Sequence, residues 1–304
     1  MVDDRVATQS RKLARVIQRT VYPVYRRTLR HILPTRLNAI LTELVVMTLR
    51  LGYVPRIRKP RTFNEKIAHR KLFEYDARYA QLADKWRVRD YVRQAVGSKY
   101  LTEVYAYFTD RTNFDAWTLP ERCVIKANHG AGFTLIRRSA SDPNPEAISE
   151  IVRQWFSMPY GVETNEYWYQ EICPRVVFAE ELLEDARYGI PLDYKFFVFH
   201  GRVRVIEVDH GRFSLHRQRF YDPQWRTLPF LREHPMAPPI EAPKHLGEMI
   251  EVAEALAEGF DFVRVDLYEP NGQRVVFGEL TFAPAAGWGR FRPASWDLVL
   301  GSYW

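Results

Sequence analysis

Two carboxylates stand where an apolar pattern would not place them. In "FVRVDLYEPNGQRVVFGELTF", residues 262–282, two strand-like runs flank an Asn-Gly pair. Asp266 interrupts the first run, Glu279 the second, and Arg264 stands two residues before Asp266. If Asn271 and Gly272 form a type I′ hairpin turn, Pro270 faces Gln273. Asp266 then lies opposite Phe277 and Arg264 opposite Glu279, all on one face, with the two acids as diagonal neighbours roughly 7 to 8 Å apart. Acids at that spacing repel unless a cation sits between them. Mg²⁺ takes one or two protein carboxylates together with phosphate oxygens, so the hairpin has the geometry of a magnesium-nucleotide platform. A plain cross-strand ion pair between Arg264 and Glu279 accounts for the same residues, and a one-residue slip of register would send the acids to opposite faces.

Two further stretches carry chemistry. In "RCVIKANHGAGFTLI" an apolar strand delivers Lys126, and a turn with His129, Gly130 and Gly132 follows. Glycines let backbone amides approach a phosphate, and a strand-end lysine supplies a point charge for it. The spacing is neither that of a Walker A loop nor that of a dinucleotide fingerprint. In "VVFAEELL" a strand runs into Glu180, Glu181, Leu182 and Leu183. Such an end offers backbone groups and a carboxylate to an adenine edge, with leucines for the ring face; an amphipathic strand turning into a loop is the plainer reading. No Ser/His/Asp or Cys/His constellation stands out.

These residues need a scaffold, and the pattern supplies one. Helical spacing occupies 10–52 in three pieces broken at Pro23 and Pro34, then "FNEKIAHRKLFE" and one run from 77 to Gly97. Short strands follow: "YLTEVYAYF", "RCVIKAN", "FTLIRR", "RVVFAEELL", "YKFFVFHGRVRVIEV" and the two arms of the hairpin, with helices at about 145–157 and 244–258. Strands interleaved with helices and closed by hairpins predict a mixed α+β body and not a doubly wound parallel sheet. With 304 residues, 46% of them hydrophobic, the chain can bury a substantial core. The formal charge of +7 is confined: residues 1–50 hold ten Lys or Arg against Asp3, Asp4 and Glu43. That segment, including "RKLARVIQRTVYPVYRRTLRHIL", resembles a surface that leans on an anionic membrane, and equally a solvated helical face; no nucleic-acid partner is expected. Two separated cysteines, Cys123 and Cys173, suit a reducing cytoplasm, and no apolar run is long enough to span a bilayer.

Taken in order, the motifs "TFNEKI", "DKWRVRDYV", "IKANHGAG", "DYKFFVFHG" and "FVRVDLYE...FGELTF" resemble the TupA-like branch of the ATP-grasp proteins over about residues 58–300, and "AEELL" resembles the ATP-grasp adenine hinge. The resemblance implies an α+β ATP-grasp fold, two α+β subdomains clasping ATP, preceded by a basic helical segment at 1–57. Within 58–304 it implies an N-terminal part (58–119), a nucleotide-covering part (120–183) and a metal and substrate part (184–304). It implies ATP and Mg²⁺ as cofactors. Lys85, Lys126 and the loop at His129, Gly130 and Gly132 would meet the phosphates, Glu180, Glu181, Leu182 and Leu183 the adenine, and Asp193 the ribose. Asp266, Glu279 and Thr281 would meet the metal, while Arg264 and Lys195 would act on the reacting groups. Thr281 departs from the pattern, standing where most ATP-grasp enzymes have a metal-ligating Asn. The implied reaction is ligation of a carboxylate to an amine through an acyl phosphate, with an amino acid joined to a uronic acid or other surface-glycan carboxylate. Arg137, Arg138, Arg290 and Arg292 are candidates for holding an anionic acceptor, and Trp225, Trp288 and "YWY" at 167–169 for stacking on sugars. A glycan kinase and a non-catalytic nucleotide-binding partner remain as alternatives.

Overall fold

A computed structural model describes residues 35–211 and 215–304; the expected helices before Pro34 lie outside the described residues. The described residues contain seven α-helices and nine strands. In order they are α1 (Thr35–Leu51), α2 (Phe63–Phe73), α3 (Ala77–Ala83), α4 (Val88–Ala95), β1 (Val104–Phe108), β2 (Cys123–Ala127), β3 (Thr134–Arg137), α5 (Pro145–Trp155), β4 (Val177–Glu180), β5 (Asp193–Phe199), β6 (Arg202–His210), β7 (Arg217–Tyr221), α6 (Leu246–Leu256), β8 (Phe262–Tyr268), β9 (Val276–Thr281) and α7 (Ser295–Tyr303). The fold is the expected mixed α+β, and both sheets are antiparallel throughout.

The chain gathers into two compact units. The smaller joins the segment ending at Tyr75 to residues 283–303. Its α2 opens with a capping box between Thr62 and Glu65. The α1 helix buries Val46 and Met47 in a cluster with Ile57 and Ala68. A fully buried Lys71–Glu43 pair anchors the turn after β9: Lys71 donates to the Ala286 carbonyl at 2.8 Å, and Trp288 Nε1 donates to Glu43 at 2.8 Å. That turn is left-handed at Ala285, Ala286 and Gly287.

The larger unit, residues 76–282 with Trp304, holds both sheets. One has the order β1-β4-β2-β3 and packs Ile125, Ala127, Val177 and Ala179 in one cluster with Ile148, Val152 and Trp155 of α5. The other has the order β7-β6-β5-β8-β9, with α6 packed on β5, β6 and β8. In this second sheet one face presents Phe196, Ile206, Val208, Val263, Val265 and Leu280. The other face carries the acids and bases.

Two differences from the sequence reading bear on function. The single helical run expected over 77–97 is two helices, because the Asp84 carboxylate accepts the Trp86 and Arg87 backbone N–H groups at 2.8 and 3.1 Å and ends the first. Lys85 sits in that break. The hairpin also differs in register. Asn271 and Gly272 do take left-handed conformations, and Gln273 N–H donates to the Pro270 carbonyl at 3.0 Å, as a type I′ turn requires. The strands then slip twice: Tyr268 pairs with Val276 instead of Val275, and Asp266 pairs directly with Glu279 after a bulge at Gly278. Two one-residue slips restore the face, so the acids share it after all, as direct neighbours and not as diagonal ones. A Cβ on Gly278 would lie 2.8 Å from the Tyr268 ring and 3.0 Å from the Asp266 carbonyl oxygen, so the bulge needs glycine. Gly278→Ala is expected to cost about 1 to 3 kcal/mol, read by denaturant titration, with a loss of nucleotide affinity measured alongside.

Candidate active site

Strand register gathers the site. Across the sheet Glu207 pairs with Lys195, Lys195 with Asp266 and Asp266 with Glu279, so four adjacent strands present one charged row on one face. Arg264 and Thr281 form the next row. Arg264 holds Asp266 as a fork, Nε and Nη2 each 2.7 Å from one carboxylate oxygen. The same Nη2 donates to Glu279 Oε1 at 3.2 Å and to Thr281 Oγ1 at 3.0 Å, and the Thr281 hydroxyl donates to Glu279 Oε1 at 3.0 Å. Burial pushes the Asp266 carboxyl up to about 7, with Arg264 opposing the rise and the Asp193 and Glu279 charges adding to it.

Lys85 joins this cluster to the glycine loop. Its Nζ donates to the Gly130 carbonyl at 2.8 Å and lies 3.5 Å from Glu279 Oε2. Its backbone is fixed by Asn128, whose carbonyl accepts the Lys85 N–H at 3.1 Å and whose side chain donates to Asp84 at 3.0 Å. Gly130 is glycine for lack of room, since a Cβ there would lie 2.6 Å from the Tyr160 ring, whereas Gly132 is exposed and left-handed at φ +82°. Burial and the charges of Glu166 and Glu279 raise Tyr160 to about 12 and push Tyr169 well above the ordinary tyrosine value.

A second cluster forms on the smaller sheet. Lys126 is ion-paired with Glu180, whose other oxygen accepts from Thr102 Oγ1 at 2.6 Å and lies 3.4 Å from Arg89. Glu181 beside it is held by Arg274 at 2.6 Å, with Leu182 and Leu183 half-buried.

Lys195 is shared between Asp193 and, at 2.6 Å, Asp209. Burial alone would lower its pKa, but Asp193, Asp266 and Asp209 outweigh burial and keep the ammonium firmly protonated. Asp209 is likewise driven upward by burial, yet Lys195 and His216 overcome that and hold it below the usual carboxylate range. Glu207 has less support: burial and the Asp209 charge push it up to about 7. Its folded pKa therefore lies above the unfolded value, so the folded chain binds the extra proton and stability falls as pH rises through about 7. Between pH 5 and pH 8 the wild type is expected to lose on the order of 1 to 3 kcal/mol that Glu207→Gln retains, measured by denaturation at each pH.

Several expected residues are placed elsewhere. His129 is turned inward, Nε2 3.0 Å from the Trp155 carbonyl, and burial with the nearby Arg175 charge pushes it down to about 4; it supports the loop and is not a proton acceptor near neutral pH. Arg137 is buried and donates to the carbonyls of Leu119 at 3.0 Å and Ala140 at 2.9 Å, so it pins a turn and does not face an acceptor. Arg138 is exposed, and Arg290 and Arg292 belong to the smaller unit. Trp168, edge-on to Tyr79, and Trp288, in the smaller unit, are buried packing residues, whereas Trp225 stacks on Tyr221 at 4.1 Å and is half-buried. Glu207, Asp209, His216, Asn128 and Tyr160 escaped the sequence reading. The signal for the first two was present, acids at alternate positions of the apolar strand "RVRVIEVDH".

The donor types at Asp266 and Glu279 fit Mg²⁺: hard carboxylate oxygens side by side on adjacent strands, with Glu279 part-exposed, although Arg264 holds both Asp266 oxygens and would have to share one with a metal. Among the described residues no group of three or more His, Cys, Asp or Glu could form an all-protein metal cage, and no helix is long and apolar enough to cross a membrane.

Residues 65–304 match the family model described as TupA-like ATPgrasp. No curated protein matches. Solved structures with a distant likeness include a D-alanine–D-alanine ligase from Bacillus anthracis complexed with ATP, with 15% identity and a TM-score of 0.41 over 66% of this chain and 55% of that one. An N5-carboxyaminoimidazole synthase from Aspergillus clavatus gives 9% identity and a TM-score of 0.41 over 73% of this chain and 46% of that one. The ATP-grasp ligase PsnB with a minimal precursor gives 13% and 0.40 over 94% and 74%. The chain thus spans about half the length of the first two, 55% and 46%.

Proposed function

Because the chain belongs to the TupA-like ATP-grasp family, we propose that it is an ATP-dependent ligase that activates a carboxylate as an acyl phosphate and joins it to an amine. The observation that carries this reading is the Lys85 bridge from the Gly130 carbonyl to Glu279, which sets the glycine loop beside the Asp266, Glu279 and Arg264 cluster. We take residues 120–183 as the nucleotide-covering part and 184–304 as the metal and substrate part.

Lys126 and Lys85 offset charge on the ATP phosphates, Glu180 to Leu183 meet the adenine and Asp193 the ribose. Asp266 and Glu279, with Thr281 beside them, would hold Mg²⁺, which when bound neutralises charge on the phosphoryl group in transfer. Arg264 is fixed by two acids and Thr281 through Nε and Nη2, which leaves Nη1 to stabilise the oxyanion as the amine adds to the acyl carbon. Lys195 holds Asp193 and Asp209 on the same face. The substrates we propose are a uronic acid or other glycan carboxylate and an amino acid or amine, in cell-surface polysaccharide synthesis at the cytoplasmic face of the membrane.

Hydroxylamine tests the reaction class. With ATP, Mg²⁺ and a panel of hexuronic acids, a ligase yields hydroxamate and ADP. A glycan kinase yields ADP and a stable phosphoester, and a non-catalytic nucleotide-binding partner yields neither. The basic segment has its own test. Because α1 packs into the smaller unit, the deletion should stop at residue 34. Removal of residues 1–34 is expected to abolish sedimentation with anionic vesicles, and unchanged partitioning would remove the membrane role.

A further inference from the structure

The polar face continues past Lys195 into a group that the reaction above does not use. Asp209 lies opposite Asp193 and Gln218 opposite Asp209, so β5, β6 and β7 carry one polar row. His216, just before β7, places Nε2 3.0 Å from Asp209 Oδ1 at ion-pair distance but outside hydrogen-bond geometry, and among the described residues neither of these buried atoms has a hydrogen-bond partner. The His216 ring stacks on His234 at 3.7 Å. Behind them Gln218 Nε2 donates to Glu207 Oε1 at 2.6 Å, while Glu207 Oε2 is buried with no hydrogen-bond partner. A buried carboxylate oxygen without a donor is costly, and it points to a donor that arrives from outside the chain.

The sign of the cluster says what kind of donor. Asp193 and Asp209 are set against Lys195 and Arg232, and a cation arriving beside Glu207 would offset the burial and the Asp209 charge that keep that carboxyl partly protonated. Its distance from the metal pair leaves space for a second substrate: Glu207 is two strand spacings, roughly 10 Å at the backbone, from Asp266, and His216 beside β7 is three, roughly 14 Å. That leaves room for a phosphoryl group and the carboxylate it activates. His216 is the accessible edge of the group, its side chain 23% exposed against 5% for Asp209.

We propose that the Asp209–His216 pair, with Glu207 behind it, receives a primary ammonium co-substrate and that His216 takes its proton. This rests on the ligase reading above. The Asp209 carboxylate 3.0 Å from Nε2 favours the ring proton on that nitrogen, which makes Nδ1 the acceptor in this proposal. The ammonium gives one proton to Nδ1 and so frees a lone pair; the nitrogen attacks the acyl carbon. The C–N bond forms as the bond from carbon to the phosphate oxygen breaks, and the second nitrogen proton leaves with inorganic phosphate. The groups facing His216 are Asp209 from β6 and the stacked His234 from the turn beyond, and the charges of Glu233 and Lys195 reach His234. Burial and the His216 charge both lower His234.

The test is ring-nitrogen NMR on the full chain labelled with ¹⁵N-histidine, with Mg²⁺ and a non-hydrolysable ATP analogue. Ethylammonium chloride is the probe and tetramethylammonium chloride, which has no N–H to give, the control. A saturable shift at His216 with ethylammonium alone is expected, lost in Asp209→Asn and, at the stacked His234, lost in His216→Gln. No shift, or an equal shift with both salts, overturns the proposal. Hydroxylamine is unprotonated at neutral pH and needs no base, so hydroxamate formation reports the acyl phosphate without His216. Hydroxamate without the ethylammonium shift keeps the ligase reading and removes this site, and the shift without hydroxamate does the reverse.

Discussion

Replacing Arg264 with leucine is expected to lower the stability of the chain by about 3 to 5 kcal/mol, read as a fall in denaturant midpoint at unchanged slope. Asp266 and Glu279 are direct cross-strand neighbours, and Arg264 is the cation that lets them be so. Both oxygens of the buried Asp266 carboxylate accept from this one guanidinium at 2.7 Å. Leucine fills space but leaves an uncompensated acid at the centre of the sheet. Arg264→Lys recovers only part of the loss, because a point charge cannot reproduce the planar fork. Asp266→Asn in the leucine background should restore stability by removing the stranded charge, and that rescue separates the charge argument from simple loss of packing.

Glu279→Gln is expected to do the opposite, leaving the fold alone and removing the reaction. The Glu279 side chain is 32% exposed, so the substitution should move stability by less than about 1 kcal/mol. The amide oxygen can still accept from Arg264 and Thr281, but the charge that faces Lys85 and the metal is gone. Turnover should fall by about 10²- to 10³-fold or more, measured as ADP release, whether the product is an amide or a phosphoester. Normal ADP release from a folded Glu279→Gln chain would sink the metal assignment.

Much of this site was legible in the sequence because its face was set by alternation. Asp193 and Lys195, Arg264 and Asp266, and Glu279 and Thr281 are each two residues apart in a strand, and every antiparallel pairing kept them on one face. The hairpin register was not legible. An Asn-Gly turn fixes the first pair of residues, whereas the bulge depends on Gly278 fitting against Tyr268, a contact that no local pattern announces. Lys85 was found through family resemblance, but its exposure in a helix break depends on Asp84 capturing two backbone N–H groups, which a periodic run from 77 to 97 concealed. Glu207 and Asp209 carried the same signal as the hairpin acids. The reading of Arg137, Trp168 and Trp288 as binding residues has a common weakness: side chains able to bind an anion or a sugar are equally able to donate to loop carbonyls or fill a core, and only burial separates the two uses.

The most direct test of the account is calorimetric titration of ATP into the wild type and into Glu279→Gln, each with and without Mg²⁺. The account predicts that Mg²⁺ tightens ATP binding by the wild type and leaves the affinity of Glu279→Gln unchanged. An equal gain on adding Mg²⁺ in both chains would contradict it.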